Sequence, residues 1–374
     1  ASGAAANMWR GVPAAAQTHA RTESAAAPAA WQEGLFAVRA DPQKGKVTVR
    51  LPAPGAAGVL ARYLYQPGLS AGLGMDGAGL DRSGLGQAQI VAFRKVGNRV
   101  FAAFENEDFR AQNADADQVN AVAASFTAPV VWSGEVIETG PDGAVTVDLS
   151  GFLERDAVNA VGRLKRAKLG TFKPAPTLGF IDTARTLVFP ENVEFDTVQT
   201  FTSDEPAAEL SRVSPEARAV TLTVHHSFIR LPDAGFQPVP HDPRSGTSAQ
   251  VLVTDFAADL DHPVVSRLAR RFRLEKIDPT AARSPVKKPI VFYVDRAAPP
   301  AIRQALIEGG NWWAQAFDQA GYVDAFRVEL LPEGADPMDA RYNIVSWVHR
   351  ETRGWSTGTS VNDPRTGEIV RGVV

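Results

Sequence analysis

From Pro289 to Val374 the chain reads as a strand, a helix and further strands in quick succession, an order that calls for a right-handed crossover and parallel pairing. Ile290-Val291-Phe292-Tyr293-Val294 is a short apolar run, rich in β-branched and aromatic residues and bounded by Pro289 and Asp295, which suits a buried strand. A helix should follow. Pro299 and Pro300 fall in its first turn, where a missing N–H is tolerated, and Gly321 stands where a left-handed terminating residue is wanted. Between them Ile302, Leu306, Gly309, Trp313, Phe317 and Ala320 recur at three- and four-residue spacing, so the expected helix lays this stripe on the sheet as packing.

Phe326 to Leu331 alternates as a second strand, and Asn343 to His349 makes a third. Gly354 to Val361 and Glu368 to Val374 then flank Asn362-Asp363-Pro364-Arg365-Thr366-Gly367, which is turn chemistry, so the flanks form a hairpin. A hairpin that follows parallel strands places an antiparallel strand at or near the sheet edge.

The stretch Trp347-Val348-His349-Arg350-Glu351-Thr352-Arg353-Gly354-Trp355-Ser356, followed by Asp363-Pro364-Arg365-Thr366-Gly367-Glu368-Ile369, resembles a bacterial family of secreted zinc-dependent metalloproteases of metzincin type. Further landmarks of the resemblance occur in order along the chain: Gly34-Leu35-Phe36, Gly79-Leu80-Asp81-Arg82 with Leu85-Gly86, Phe189 to Glu194, His225-His226-Ser227 and Arg230-Leu231-Pro232-Asp233. They span residues 31 to 374. The resemblance implies a zinc endopeptidase in which an H-E-x-x-H-x-x-G-x-x-H helix, soon after the hairpin, supplies three histidine ligands and a glutamate that activates the zinc-bound water. None of those positions occurs in this chain, so no catalytic or metal-ligating residue is assigned within it, and the chain alone is expected to be inert. What the resemblance does transfer is an edge strand that binds extended substrate by adding it to the sheet. The candidate residues are Trp355, Ser356, Thr357, Gly358, Thr359, Ser360 and Val361, whose glycine and small hydroxylated side chains leave the backbone approachable; the plain alternative is an ordinary surface hairpin.

The six histidines are His19, His225, His226, His241, His262 and His349, and none stands four residues from another, as a helical ligand pair requires. His225 and His226 lie in Val220 to Ile229, which reads as a strand, so the two rings should point to opposite faces and hydrogen-bond structurally rather than share a metal. His349 is expected near the end of its strand, with a role either structural or in orientation beside the cleft.

Two motifs look functional and are read otherwise. Gly72-Leu73-Gly74-Met75-Asp76-Gly77 fits G-x-G-x-x-G and follows a strand-like Leu60 to Tyr65, but the segment after it is too rich in glycine to open a helix. It reads as a tight loop whose glycines serve backbone geometry. Asn113, Asp115 and Asp117 alternate like the first ligands of a calcium loop, yet Gln118 stands where the glycine should be and Ala124 where the glutamate should be. Calcium is a weak reading there beside a solvated loop or helix cap.

A chain of 374 residues that is 44% hydrophobic can bury more than one core. A net charge of −3 leaves no nucleic-acid footprint, and no apolar run approaches the ~20 residues of a membrane helix. Cysteine is absent, which excludes disulfide stapling and thiol catalysis, and no G-x-S-x-G supports a serine hydrolase. The opening Ala1-Ser2-Gly3-Ala4-Ala5-Ala6 resembles the small-residue flank of a cleaved secretion signal, which places the expected protein outside the cytoplasm, secreted or periplasmic.

The fold expected is α+β. Residues 1–30 form a flexible Ala-rich arm, 31–280 a β-rich N-terminal or pro-like module, and 281–374 the first half of a metzincin-like catalytic domain, a mixed sheet with one packed helix and an antiparallel edge hairpin. In the module, runs such as Lys46 to Leu51, Gln89 to Arg94, Arg99 to Phe104 and Ala219 to Ile229 are the strands, and Ala116 to Phe126 and Val158 to Lys168 are helical. The function expected is that of the N-terminal part of a zinc metalloendopeptidase, its zinc on a downstream segment and its partners a peptide or protein substrate and the C-terminal remainder of the enzyme. The alternative is a non-catalytic peptide-binding or inhibitory module.

Overall fold

The structure is a computed structural model that describes residues 29–75, 77–245, 250–352 and 354–374. The arm expected over residues 1–30 lies outside them save for Ala29 and Ala30. Trp31–Val374 forms one compact unit.

The strands of the N-terminal module, in chain order, are β1 (Ala37–Asp41), β2 (Lys46–Leu51), β3 (Val59–Ala71), β4 (Gln89–Val96), β5 (Arg99–Phe104) and β6 (Phe109–Arg110). Then come β7 (Val130–Thr139), β8 (Val145–Asp148), β9 (Lys173–Pro174), β10 (Phe180–Val188), β11 (Asn192–Thr202) and β12 (Ala219–Ile229). The strands that follow are β13 (Gln250–Asp255), β14 (Val265–Ala269), β15 (Arg271–Phe272), β16 (Ser284–Pro285) and β17 (Ile290–Val294). Last are β18 (Tyr322–Val323), β19 (Phe326–Leu330), β20 (Asn343–Val345), β21 (Thr359–Asn362) and β22 (Glu368–Val373). Helices are α1 (Ala116–Ser125), α2 (Ser150–Leu153), α3 (Ala160–Arg166), α4 (Pro300–Asn311) and α5 (Ala314–Gln319).

The module is built on an antiparallel sheet in the order β1-β2-β8-β7-β5-β4-β3-β12-β11-β10, with β9 paired to β11. The sheet curls until its ends meet, and Leu35 N donates to Phe189 O at 2.7 Å. Alternation explains the curl. In β2, Val47, Val49 and Leu51 turn inward while Thr48 and Arg50 face out, and the inward residues of most strands fill one core with Tyr65, Phe93 and Phe228. A second core gathers Leu80, Leu164, Phe172, Phe201 and Leu222. Asp115 is the N-cap of α1 and accepts from Gln118 N at 2.9 Å, so its place in the alternating Asn113-Asp115-Asp117 run is that of a helix cap. β13 lies between β14 and β6 in a small separate sheet.

The C-terminal sheet runs β22-β20-β17-β19, all parallel, with β15 beside the start of β22 and β21 antiparallel along its far side. The mixed sheet and its antiparallel hairpin therefore match the pattern in the residues. Three details differ. The helix is two pieces, because Trp312 N and Trp313 N bond to Gly309 O and Gly310 O, three residues back, which tightens one turn between α4 and α5. It is also rotated from the expected stripe, since Trp313 is 65% exposed and Gly309 faces open space, while Gly310 and Phe317 meet the sheet. The reason lies at the edge strand β19. Asn311 donates to Val328 O and accepts from Val328 N, both at 2.9 Å, and this pairing turns the helix so that a Cβ on Gly310 would lie 2.6 Å from Val328.

The third difference is the strand expected over 343–349, which ends at Val345. Ser346 N still bonds Val374 O at 2.7 Å, but Trp347 is drawn off the sheet by partners described below. Close packing against the sheet also constrains β22, where a Cβ on Gly372 would sit 2.5 Å from the Phe292 ring. Gly372→Ala should therefore destabilise by about 1–3 kcal/mol, the usual range for overpacking, and chemical denaturation with an unchanged m-value checks it.

Candidate functional site

The two edges of the C-terminal sheet are unlike. β19 has its outward Val328 groups taken by Asn311 and is overlaid by α4, whereas β21 pairs with β22 on one side and, among the described residues, with no strand on the other. The register sets Thr359 opposite Val373, Ser360 opposite Gly372 and Val361 opposite Arg371. Val361 is buried and roots the strand, Ser360 is half-buried and Thr359 is exposed. Of the seven candidate residues only Thr359, Ser360 and Val361 are strand. Trp355, Ser356, Thr357 and Gly358 are exposed and irregular, and the ladder to β22 begins only at the Thr359–Val373 pair. Trp355 is 89% exposed.

The segment between β20 and β21 is held by the glycine-rich loop of the module. Leu73 N donates to Leu80 O at 2.7 Å, and the backbone comes so near that a Cβ on Gly72 would collide with Leu80 O, which is why glycine stands there. The fold of this loop projects Asp81 and Arg82 at the C-terminal sheet. Arg82 Nη1 donates to Asp295 Oδ2 at 2.6 Å and to Trp347 O at 2.9 Å, while Trp347 N reaches the same carboxylate at 3.3 Å. Arg350 Nε donates to Asp81 Oδ2 at 2.8 Å, and Glu351 N to Gly74 O at 2.9 Å. His349 is exposed, with its ring edge-on to Trp347 at 6.2 Å. The nucleotide-like motif is thus a structural loop, and its purpose is to seat the run that leads into β21.

The other landmarks meet at a second contact. On β11 and β12 the face toward the barrel interior carries Val193, Phe195, His226 and Phe228, while the opposite face carries Asn192, Glu194, Asp196, His225 and Ser227, all buried. His225 Nδ1 lies 2.6 Å from Asp196 Oδ1 and Nε2 lies 2.9 Å from Glu194 Oε2. Both partners can only accept when ionised, so the ring carries two protons and a charge. Burial by itself would lower its pKa, but the hydrogen bonds it donates to Asp196 and Glu194 outweigh that and raise it to about 10. Arg185 Nε braces Asp196 Oδ2 at 2.7 Å, and Asn192 Nδ2 joins Glu194 to Asp339 at 2.6 and 3.1 Å.

What covers this polar face is the loop from Pro332 to Tyr342, between β19 and β20. Ala340 N donates to Glu194 Oε1 at 3.1 Å, and Arg185 Nη2 reaches Asp336 at 2.5 Å. From below, the fully buried Arg371 donates to Tyr342 O, Met338 O and Pro337 O at 2.9, 2.9 and 2.7 Å. His226 points the other way, into the barrel core, where Nδ1 is 2.8 Å from the Tyr65 hydroxyl. Burial, with Arg155 and His225 nearby, pushes its pKa down to about 3, so it is neutral.

These histidines do not fit a metal. The nitrogens of His225 face two carboxylates on opposite sides of one ring, and the group encloses protons rather than converging on a point; His226 is on the other face. Asp259, Asp261 and His262 offer ligand atoms within 4.8 Å of one another, but all three are exposed. The three-histidine set implied by the resemblance has no counterpart among the described residues. Sequence reasoning found the strand and the opposed faces of His225 and His226. The pairing of His225 with Glu194 and Asp196, and the hold of Arg371 on the covering loop, are not readable there, since only the cross-strand register and the loop after β19 bring these groups together.

No described helix is long and apolar enough to cross a membrane. No curated protein and no solved structure matches the chain. A family described as "Domain of unknown function (DUF5117)" matches residues 83–277, just over half of the chain, from the glycine-rich loop through the polar face of β11 and β12 to the approach to the C-terminal sheet. The chain belongs to the DUF5117 family.

Proposed function

We propose that this chain is the substrate-aligning, N-terminal part of a zinc endopeptidase, with the catalytic ion held by residues outside the chain. The observation that carries the reading is the asymmetry of the C-terminal sheet: one edge is closed by Asn311 and α4, and the other, β21, is an antiparallel strand with no strand on its outer side among the described residues. An extended peptide can add to such an edge through backbone hydrogen bonds, with alternate side chains turned toward the sheet surface. The clamp of Asp81 and Arg82 on residues 347–350 fixes the segment that leads to that edge, so less ordering is left for binding to impose.

The second reading, an inhibitory module, draws on the same Arg82, because its guanidinium sits at the carboxyl ends of β17 and β20, where ligands of parallel sheets gather. Peptide cleavage with added zinc separates the two. The chain alone should be inert, and a polypeptide extended through the downstream reading frame should cleave. Neighbouring residues of a strand aim their N–H groups at opposite sides, so of Thr359→Pro and Ser360→Pro one removes the outward donor and the other breaks the ladder to β22. In the extended enzyme the outward one should raise KM about tenfold with kcat nearly unchanged. Cleavage by the short chain, or a KM that neither proline moves, refutes the assignment.

A further inference from the structure

A cavity of about 400 Å³ opens where the module meets the carboxyl end of the C-terminal sheet. Its wall includes Ser70 from β3, Arg82 from the glycine-rich loop, Arg185 and Leu187 from β10, and Asp336 and Met338 from the loop after β19. The size is that of a small-molecule site, and the place, beyond the ends of parallel strands, is where such sheets collect ligands. We propose that this cavity binds a carboxylate-bearing ligand about the size of a dipeptide. The inference stands apart from the reading of the β21 edge, although Arg82 serves in both: its hold on Trp347 belongs to that reading and its spare N–H groups to this one.

Two guanidinium groups reach the cavity from different elements, and each is fixed by a carboxylate buried behind it. Asp295, with its side chain 5% exposed, holds Arg82 through Nη1, and Asp196, 1% exposed, holds Arg185 through Nε. Among the described residues, Arg82 keeps Nε and Nη2, and Arg185 keeps Nη1, without a protein partner. Anchored arginines with spare N–H groups are the usual apparatus for gripping a carboxylate, since the fork is already oriented and little rotamer freedom is lost on binding. Ser70 Oγ, 3.0 Å from Asp196 Oδ2, adds a hydroxyl on the same side.

The remaining wall is apolar, with Leu187, Ala184, Pro337 and Met338 offering contact to a short aliphatic body. Asp336 restricts the charge that can enter. It already occupies Arg185 Nη2 at 2.5 Å and lines the same space, so a second negative charge on the ligand would be repelled. The site therefore favours a monoanion over a dianion such as phosphate at neutral pH.

Isothermal titration of the full chain with N-acetyl-alanyl-alanine, its C-terminal amide and inorganic phosphate tests this without any variant. The acid should bind saturably and at least about tenfold more tightly than the amide, the difference of one charge-assisted contact. Arg185→Gln and Arg82→Lys should each weaken the acid by about tenfold, with urea unfolding run alongside to confirm that the variants are folded. Arg82→Lys keeps the charge toward Asp295 but loses the fork. Equal binding of acid and amide, phosphate bound as tightly as the acid, no saturable binding, or folded variants that bind like the parent would each overturn the proposal.

Discussion

His225→Gln should lower the unfolding free energy by about 3–5 kcal/mol, the loss typical of removing one partner from a buried ionic group. The imidazolium is enclosed between Asp196 and Glu194, and glutamine cannot supply its charge. Asp196 would retain Arg185 and Ser70, and Glu194 would retain Asn192 and Ala340 N, so the protein should remain foldable but weakened. The pH profile gives the sharper signature. With the folded pKa raised to about 10 against an unfolded value near 6.5, the folded state holds the extra proton between those limits. The stabilisation is complete below about pH 6.5 and is lost as pH rises through about 10. Urea midpoints measured across that window should fall for the parent and stay flatter for the variant. A parent profile as flat as the variant's would show that His225 is not charged in the fold. On the acid side His226 acts with the opposite sign: its folded pKa near 3 means stability is lost as pH drops from about 6.5 toward 3.

Arg371→Met should cost about as much, on the order of 3–5 kcal/mol, but by another route. The substitution leaves three backbone carbonyls, of Pro337, Met338 and Tyr342, without their donor in a dry place, and each such group costs about 1–3 kcal/mol before relaxation. Some of that is recovered as the loop shifts and water enters. The Pro332 to Tyr342 loop should consequently lose amide-exchange protection ahead of the barrel strands, because it is the arginine that holds it against Glu194. Uniform loss of protection across β11, β12 and the loop together would contradict a local role. Combining Arg371→Met with His225→Gln should be less than additive, since both act on the seating of that loop.

These two residues show where the sequence is legible. The alternation in Ala219 to Ile229 foretells a strand with His225 and His226 on opposite faces, and it is one. It cannot show that the polar face is buried, because burial comes from a loop more than a hundred residues away. Arg371 in Glu368–Val373 reads as an ordinary strand residue, and its carbonyl partners belong to a loop with no local pattern. The helix after Pro300 is similar. Its period and its start are readable, but its rotation is set by Asn311 satisfying the edge of β19, so Trp313, expected against the sheet, faces outward.

Local chemistry alone determined which segments are strands, that the C-terminal strands run parallel through a crossover, that a hairpin closes them, and that the Gly72 segment is a tight loop with no helix opening after it. Those properties depend on side-chain periodicity and on φ preferences a few residues long. Tertiary structure decided the rest: that Asp81 and Arg82 grip the segment before β21, that Asn311 closes the β19 edge while β21, among the described residues, has no strand on its outer side, and that a charged histidine is shut between two acids. Each of these joins groups far apart in the chain, and the balance of burial against pairing exists only once both are brought together.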